Sequence, residues 1–331
     1  MSAPALTRPL TRPVAPHLAD PVAGLPANAL GREKRAIEQF ALYAFVIVPF
    51  LALVAIVPAV WGWGLSWTDI ALAVAFYSLG VGGVTVGYHR HFTHGSFKAV
   101  KPLRVVLAVA GCMAIQGPVV QWVADHRRHH AFSDRQGDPH SPWRYGHDVR
   151  ALTKGMFHAH LGWLFDRQQT NPERYAPDLL KDSAVRRTSR LFVVWAGLSL
   201  FLPALIGGLI TMSWTGAGTA FFWASLVRVG LSHHVTWSIN SICHTVGSRP
   251  FKSRDRSTNF WPLALLSLGE SWHNLHHADP TCARHGVLRG QIDISARTIW
   301  IFEKLGWARD VKWPDPVRLA AKRQVPAPVG S

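Results

Sequence analysis

Four long apolar runs constrain this chain more than any other feature. A bilayer core of about 30 Å needs about 20 apolar residues of helix. Residues 39–61, 68–88, 191–211 and 219–239 each meet that length. The stretch 103–123 is also apolar, but it holds Gln116, Gln121 and Pro118, which favours an interfacial or re-entrant helix over a fifth span. The four runs pair into two hairpins whose short links, 61–67 and 212–218, contain no Lys or Arg. Basic residues crowd the opposite ends: Arg32, Lys34 and Arg35; Arg90, Lys98, Lys101 and Arg104; Arg186, Arg187 and Arg190; Arg249, Lys252, Arg254 and Arg256. The bias of positive charge toward the inside then puts both termini and the large polar segments in the cytoplasm, for a multi-pass protein of the cell membrane.

The formal charge of +16 would point a soluble protein toward nucleic acid. Beside apolar runs it points instead to lipid headgroups or a phosphate-bearing substrate, and no nucleic-acid partner is expected. Cys112, Cys243 and Cys282 are odd in number and lack CxxC spacing, which disfavours disulfides and thiolate metal sites. Residues 1–35 read as a flexible cytoplasmic tail, 36–310 as the membrane domain and 311–331 as a second tail. Arg228 falls inside the fourth run, where a charge is costly and faces a polar cavity or a helix end.

The 18 histidines are grouped. His89 and His94 form HxxxxH after the second run. His126, His129 and His130 form one HxxHH, and His273, His276 and His277 form another. Spacing of i, i+3 and i+4 sets three imidazoles along one side of a helix. His89 and His94, five apart, do not share an α-helical face, so they straddle a helix end or bend. All eight lie on the cytoplasmic side, and histidines that merely pack a core have no reason to obey topology. Zinc sites take about four ligands. Eight imidazoles instead suit two ions of higher coordination, and two irons that can change redox state with O2 as co-substrate are the economical choice. A carboxylate-bridged pair would need two ExxH motifs and more carboxylates. Among the five Glu (Glu33, Glu38, Glu173, Glu270 and Glu303), only Glu270 with His273 makes one. Outer hydrogen bonds to such ligands usually come from carboxylates, and Asp125, Asp134 and Glu270 are the neighbours in sequence.

The order HRHFTH, HRRHH, HNLHH, together with QGPVVQWVADH at 116–126 and VTWSINSICH at 235–244, resembles the membrane fatty-acid desaturases of the acyl-CoA delta-9 type. The likeness covers roughly residues 65 to 285. It implies an all-α integral membrane fold: four transmembrane helices in two hairpins under a cytoplasmic helical cap that holds a histidine di-iron site. It implies a ninth ligand, His244, and a metal-bound water on Asn240. It also implies a kinked acyl tunnel lined by Gln116, Trp122, Thr236 and Trp237. The activity implied is O2-dependent conversion of a long-chain acyl-CoA to its cis-monoene, with electrons from a separate ferredoxin or flavin reductase. Two departures bear on the acyl carrier. Ala124 replaces an arginine of the animal members, and the segment after HLGW differs. Rival readings are a chain bound to phospholipid or carrier protein, a hydroxylase or alkane monooxygenase on the same scaffold, and, from another class, a histidine-rich metal transporter.

Overall fold

The computed structural model describes residues 25–56 and 64–324. Three helices are long and apolar enough to cross a membrane: Ala36–Val54, Trp67–Thr93 and Phe192–Thr211. The second starts on a capping box, in which the Asp69 amide donates to Ser66 Oγ over 3.1 Å and Ser66 N–H returns to the Asp69 carboxylate over 3.0 Å.

The expected fourth span is helical but fails the test of apolarity. It runs over 214–241 as Trp214–Ala220, a π-helical Phe221–Val227 and Arg228–Ser241. Arg228, His233, His234 and Asn240 lower its hydropathy. Packing explains how it carries them. Arg228 is buried and donates to the carbonyls of Ala224 (3.0 Å) and Ser199 (2.8 Å) and to Ser199 Oγ (2.9 Å). The guanidinium is thus solvated by main chain inside the bundle.

The apolar stretch after the second of these helices is broken into two helices, the shape expected of a re-entrant arm. Helix Lys101–Met113 ends, Ile115 and Gly117 take left-handed φ values of 58° and 107°, and a second helix runs from Val119 to Phe132. Pro118 stands at its N-terminus, where its missing N–H costs nothing. The break is pinned from the 214–241 helix: His233 Nε2 lies 3.0 Å from the Ile115 carbonyl oxygen, and Gln116 Nε2 donates to Thr236 Oγ1 over 2.8 Å.

The second span changes character at Gly83, becoming π-helical through Thr93. A π-turn closes i→i+5 hydrogen bonds, and the His94 amide donates to the His89 carbonyl over 3.2 Å. Five residues are one turn here, so His89 and His94 share a face after all, with ring centroids 4.9 Å apart. Gly83 allows the helix against the re-entrant arm: a Cβ there would sit 2.2 Å from Gly111 N.

Both segments expected as tails carry structure. Within 1–35, residues 1–24 lie outside the described residues, but Leu30–Glu33 pairs antiparallel with Gln168–Thr170. Past 310, the Lys312 amide donates to the Ser96 carbonyl over 2.8 Å, Trp313 Nε1 to Glu303 over 3.0 Å, and Pro316–Lys322 is helical. Short polar stretches hide such pairing, because nothing in their own pattern names a distant partner.

Gly83→Ala should force the second span off the arm and cost about 1–3 kcal/mol, the usual penalty of overpacking. Thermal unfolding in detergent checks this, with the exposed, helical Gly218→Ala as the matched control for a glycine whose Cβ would meet nothing.

Candidate metal centre

The two HxxHH motifs lie on helices, Val119–Phe132 and His273–Ala278, and the structure divides each between two groups. His89, His94, His126, His130 and His276 converge in one; His129, His244, His273 and His277 converge in the other. Each motif sends its i, i+4 pair to one group and its i+3 member to the other. The nine sequence-derived histidines are therefore all brought together.

Within each group the Nε2 atoms face one another. His276 Nε2 is 3.0 Å from that of His89 and 2.9 Å from that of His130, which is 3.1 Å from that of His126. In the second group, His273 Nε2 is 3.1 Å from His244 Nε2 and 3.0 Å from His277 Nε2. Carboxylates occupy the outer nitrogens. His244 Nδ1 lies 2.8 Å from Asp134, His277 Nδ1 2.6 Å from Asp255, His129 Nδ1 3.0 Å from Asp138, and His89 Nδ1 2.5 Å from Glu270. Behind His129, His244 and His277 the carboxylate holds the proton on Nδ1 by a hydrogen bond and leaves Nε2 a bare lone pair. His244 and His277 both point bare nitrogens at His273, which has one proton at most to share. Buried His94 Nε2 and His129 Nε2 have no partner at all. Convergent lone pairs of this kind repel unless a cation lies among them. Metal–imidazole bonds of about 2.0–2.1 Å at right angles put neighbouring nitrogens about 2.9–3.0 Å apart. The donor set fits a metal centre.

Electrostatics agree. Burial, reinforced by neighbouring imidazoles, pushes His94, His126, His130, His273 and His276 well below the usual imidazole range, and His277 to about 4. Those rings are neutral ligands at physiological pH. His244 moves the other way: burial opposes its charge, but Asp134 outweighs burial and raises it. Burial would also raise the Glu270 carboxyl, yet His89 and Arg90 hold it well below the carboxylate range. Arg90 is itself fully buried and bridges Glu270 and Asp293, each at 3.0 Å.

The remaining expected residues fall in different places. Asp134 serves His244 rather than its neighbour His130. Among the described residues the Asp125 carboxylate bonds no boxed histidine; it accepts from Gln121 over 3.2 Å. Asn240 is half-buried, one turn before His244. Trp122 stacks on His126 with centroids 5.0 Å apart, Trp237 lies against His233 at 4.9 Å, and Gln116 is bonded to Thr236. Sequence reasoning missed Asp138, Asp255 and His285, whose Nδ1 lies 3.5 Å from the Glu270 carboxylate. Asp138 sits in the DPH tripeptide, a usable signal, and His140 behind it stacks on His129 at 4.3 Å. Asp255 reaches His277 from 22 residues away, and no local pattern marks it.

Residues 65–287 match the model of the family described as fatty acid desaturase. The chain belongs to that family. This desaturase is 40% identical to the hex-5-enoyl-(acyl-carrier protein) acetylenase of Moorena producens, over 86% of its own length and 89% of the relative's. It is 37% identical to delta-9 acyl-lipid desaturase 1 of Arabidopsis thaliana, again over 86% and 89%. It is 39% identical to the acyl-CoA C20 delta-5 desaturase of Anemone leveillei, over 76% of each chain. The desaturase is thus an oxidoreductase of fatty acyl chains, and its relatives use three different acyl carriers.

Replacing Asp134 by Asn keeps the shape but weakens the hold on His244. Metal affinity should fall about 10–100-fold, as for other carboxylates behind a ligating histidine, read by competition with a chelator. Acid should act on the metal-free protein as well. Unfolded histidines protonate near pH 6.5, whereas six here resist protonation in the fold, so the unfolded chain binds more protons and stability drops as pH falls below about 6.5. His244 acts with the opposite sign but is one against six. Unfolding temperatures of stripped protein between about pH 7.5 and 5.5 test this; a flat or rising profile on acidification contradicts it.

Proposed function

We propose that the chain is a non-haem di-iron acyl desaturase that converts a long-chain fatty acyl-CoA, at the delta-9 position, to its cis-monoene. The observation behind this reading is the convergence of nine imidazoles into two adjoining groups, five and four strong, beside membrane-crossing helices. When bound, two irons supply the oxidant that takes a hydrogen atom from each of two adjacent methylenes, with O2 reduced to water and two electrons drawn from a separate ferredoxin or flavin reductase.

The chain's own residues supply the rest. The nine imidazoles hold the ions, with Asn240 placed to support a bound water one turn before His244. Asp134, Asp138, Asp255 and Glu270 fix the ring orientations. The Gln116–Thr236 bond forms an elbow between the re-entrant arm and the 214–241 helix, and Trp122 and Trp237 wall it with apolar rings that exclude water. An acyl chain bent there presents one pair of methylenes to the ions, and the bend sets where unsaturation falls. We read the 214–241 helix as a fourth span whose polar side faces this interior. The two helix hairpins then carry a cytoplasmic cap, with both termini on that side. Basic residues on the cap meet the phosphates of the acyl carrier.

A second carrier has an observation in its favour: the 40% identical relative is described as acting on an acyl-carrier protein. CoA and acyl-carrier protein both present the acyl thioester on a phosphopantetheine arm, so one tunnel mouth suits either.

Expression in a host lacking its own desaturase, with fatty acids mapped by mass spectrometry, tests the reaction. New cis-monoenes should appear and should vanish with His129→Ala. Hydroxylated products would move the assignment to a hydroxylase. In membranes, acyl-CoA should turn over faster than the acyl-carrier-protein or phospholipid form; a reverse order would reassign the carrier.

A further inference from the structure

One cavity reaches both histidine groups. A cavity of about 120 Å³ has His94, His130 and His277 among its lining, so both groups border it, and Arg135 and Arg254 line it as well. Arg135, Arg254 and Arg256 are exposed, and among the described residues none of them forms an ion pair with a carboxylate. Beside them, the Arg256 guanidinium lies 4.0 Å from the ring centroid of half-exposed Trp143. Trp143 Nε1 in turn donates to the main-chain carbonyl of His244 over 2.9 Å. The same loop is tied to the ligands twice more: the Arg256 amide donates to the Asp134 carboxylate over 2.8 Å, and Asp255 holds His277.

We propose that this patch is the electron-entry port, where an acidic one-electron carrier protein docks on Arg135, Arg254 and Arg256 over the Trp143 ring. The proposal rests on the di-iron reading for its purpose, but not for its docking surface. Three guanidinium groups that, among the described residues, have no carboxylate partner favour a negatively charged partner protein, on a chain of formal charge +16. Trp143 gives that partner an aromatic ring at the surface and a hydrogen bond that ends on the backbone of a ligand residue. With irons held in the centre, each docking event would oxidise the carrier by one electron and reduce one iron(III) to iron(II), with no bond made or broken at the port. Two events supply the two electrons used per turnover.

The test uses the full-length, iron-loaded protein in detergent with a plant-type [2Fe–2S] ferredoxin as probe. Arg256→Glu should weaken ferredoxin binding about tenfold and flatten its dependence on salt, and Arg256→Gln should fall between. Trp143→Phe keeps a ring under Arg256 but loses the N–H. It should leave the dissociation constant unchanged while slowing ferredoxin reoxidation inside the complex, followed in stopped flow, by about tenfold or more. Reduction of the centre by dithionite should stay the same in all three variants. Binding within twofold of wild type for Arg256→Glu overturns the docking surface. An unaltered internal rate for Trp143→Phe overturns the route. Displacement of ferredoxin by free CoA would make the patch a headgroup site instead, and equal binding of a basic cytochrome c would remove the charge argument. Loss of binding in Arg256→Glu is read without turnover, so it stands apart from any failure to find monoene products.

Discussion

The imidazole–carboxylate pair is the interaction on which the rest of this structure depends. A buried imidazole whose two nitrogens are both left to chance makes a poor ligand, because its proton can sit on either. Here three rings have Nδ1 hydrogen-bonded to Asp134, Asp138 or Asp255, and Glu270 stands 2.5 Å from that of a fourth, His89. Those four carboxylates carry four negative charges, the number needed to balance two divalent cations. A centre so neutralised can be buried beside a bilayer at far lower cost than nine polar rings around naked charge. The π-turn, the broken arm and the 255 loop are the means by which the backbone delivers rings and carboxylates to the same place.

Much of the centre was legible from spacing, because HxxHH on a helix leaves few arrangements. HxxxxH was legible as a ligand pair but not as a geometry. Five residues fit no α-helical face, and a π-helical segment has no residue signature to announce it. Sequence proximity was a poor guide to the outer carboxylates. Asp125 is one turn from His129 yet turns to Gln121, whereas Asp255, far away in the chain, takes His277. Local distance orders only residues on one element; loops choose partners through the tertiary fold.

The 214–241 helix shows the converse problem. Its apolar residues announce a span, but Arg228, His233 and Thr236 face neighbouring backbone and side chains. Hydropathy averages such a helix around its circumference and cannot tell a polar stripe turned inward from one turned to lipid. The break in the re-entrant arm frees carbonyls that this stripe satisfies, so the two irregularities support one another.

The division of each HxxHH has a consequence for how this scaffold can change. His129 and His130 are chain neighbours that serve different ligand groups, as are His276 and His277. Their α-carbons are separated by one peptide step of about 3.8 Å. The spacing of the two histidine groups is thereby tied to the covalent length of the polypeptide at two points and is insulated from side-chain drift. Diversification across such a lineage then has to act on the surroundings, while the two clusters of nitrogen donors keep one gauge.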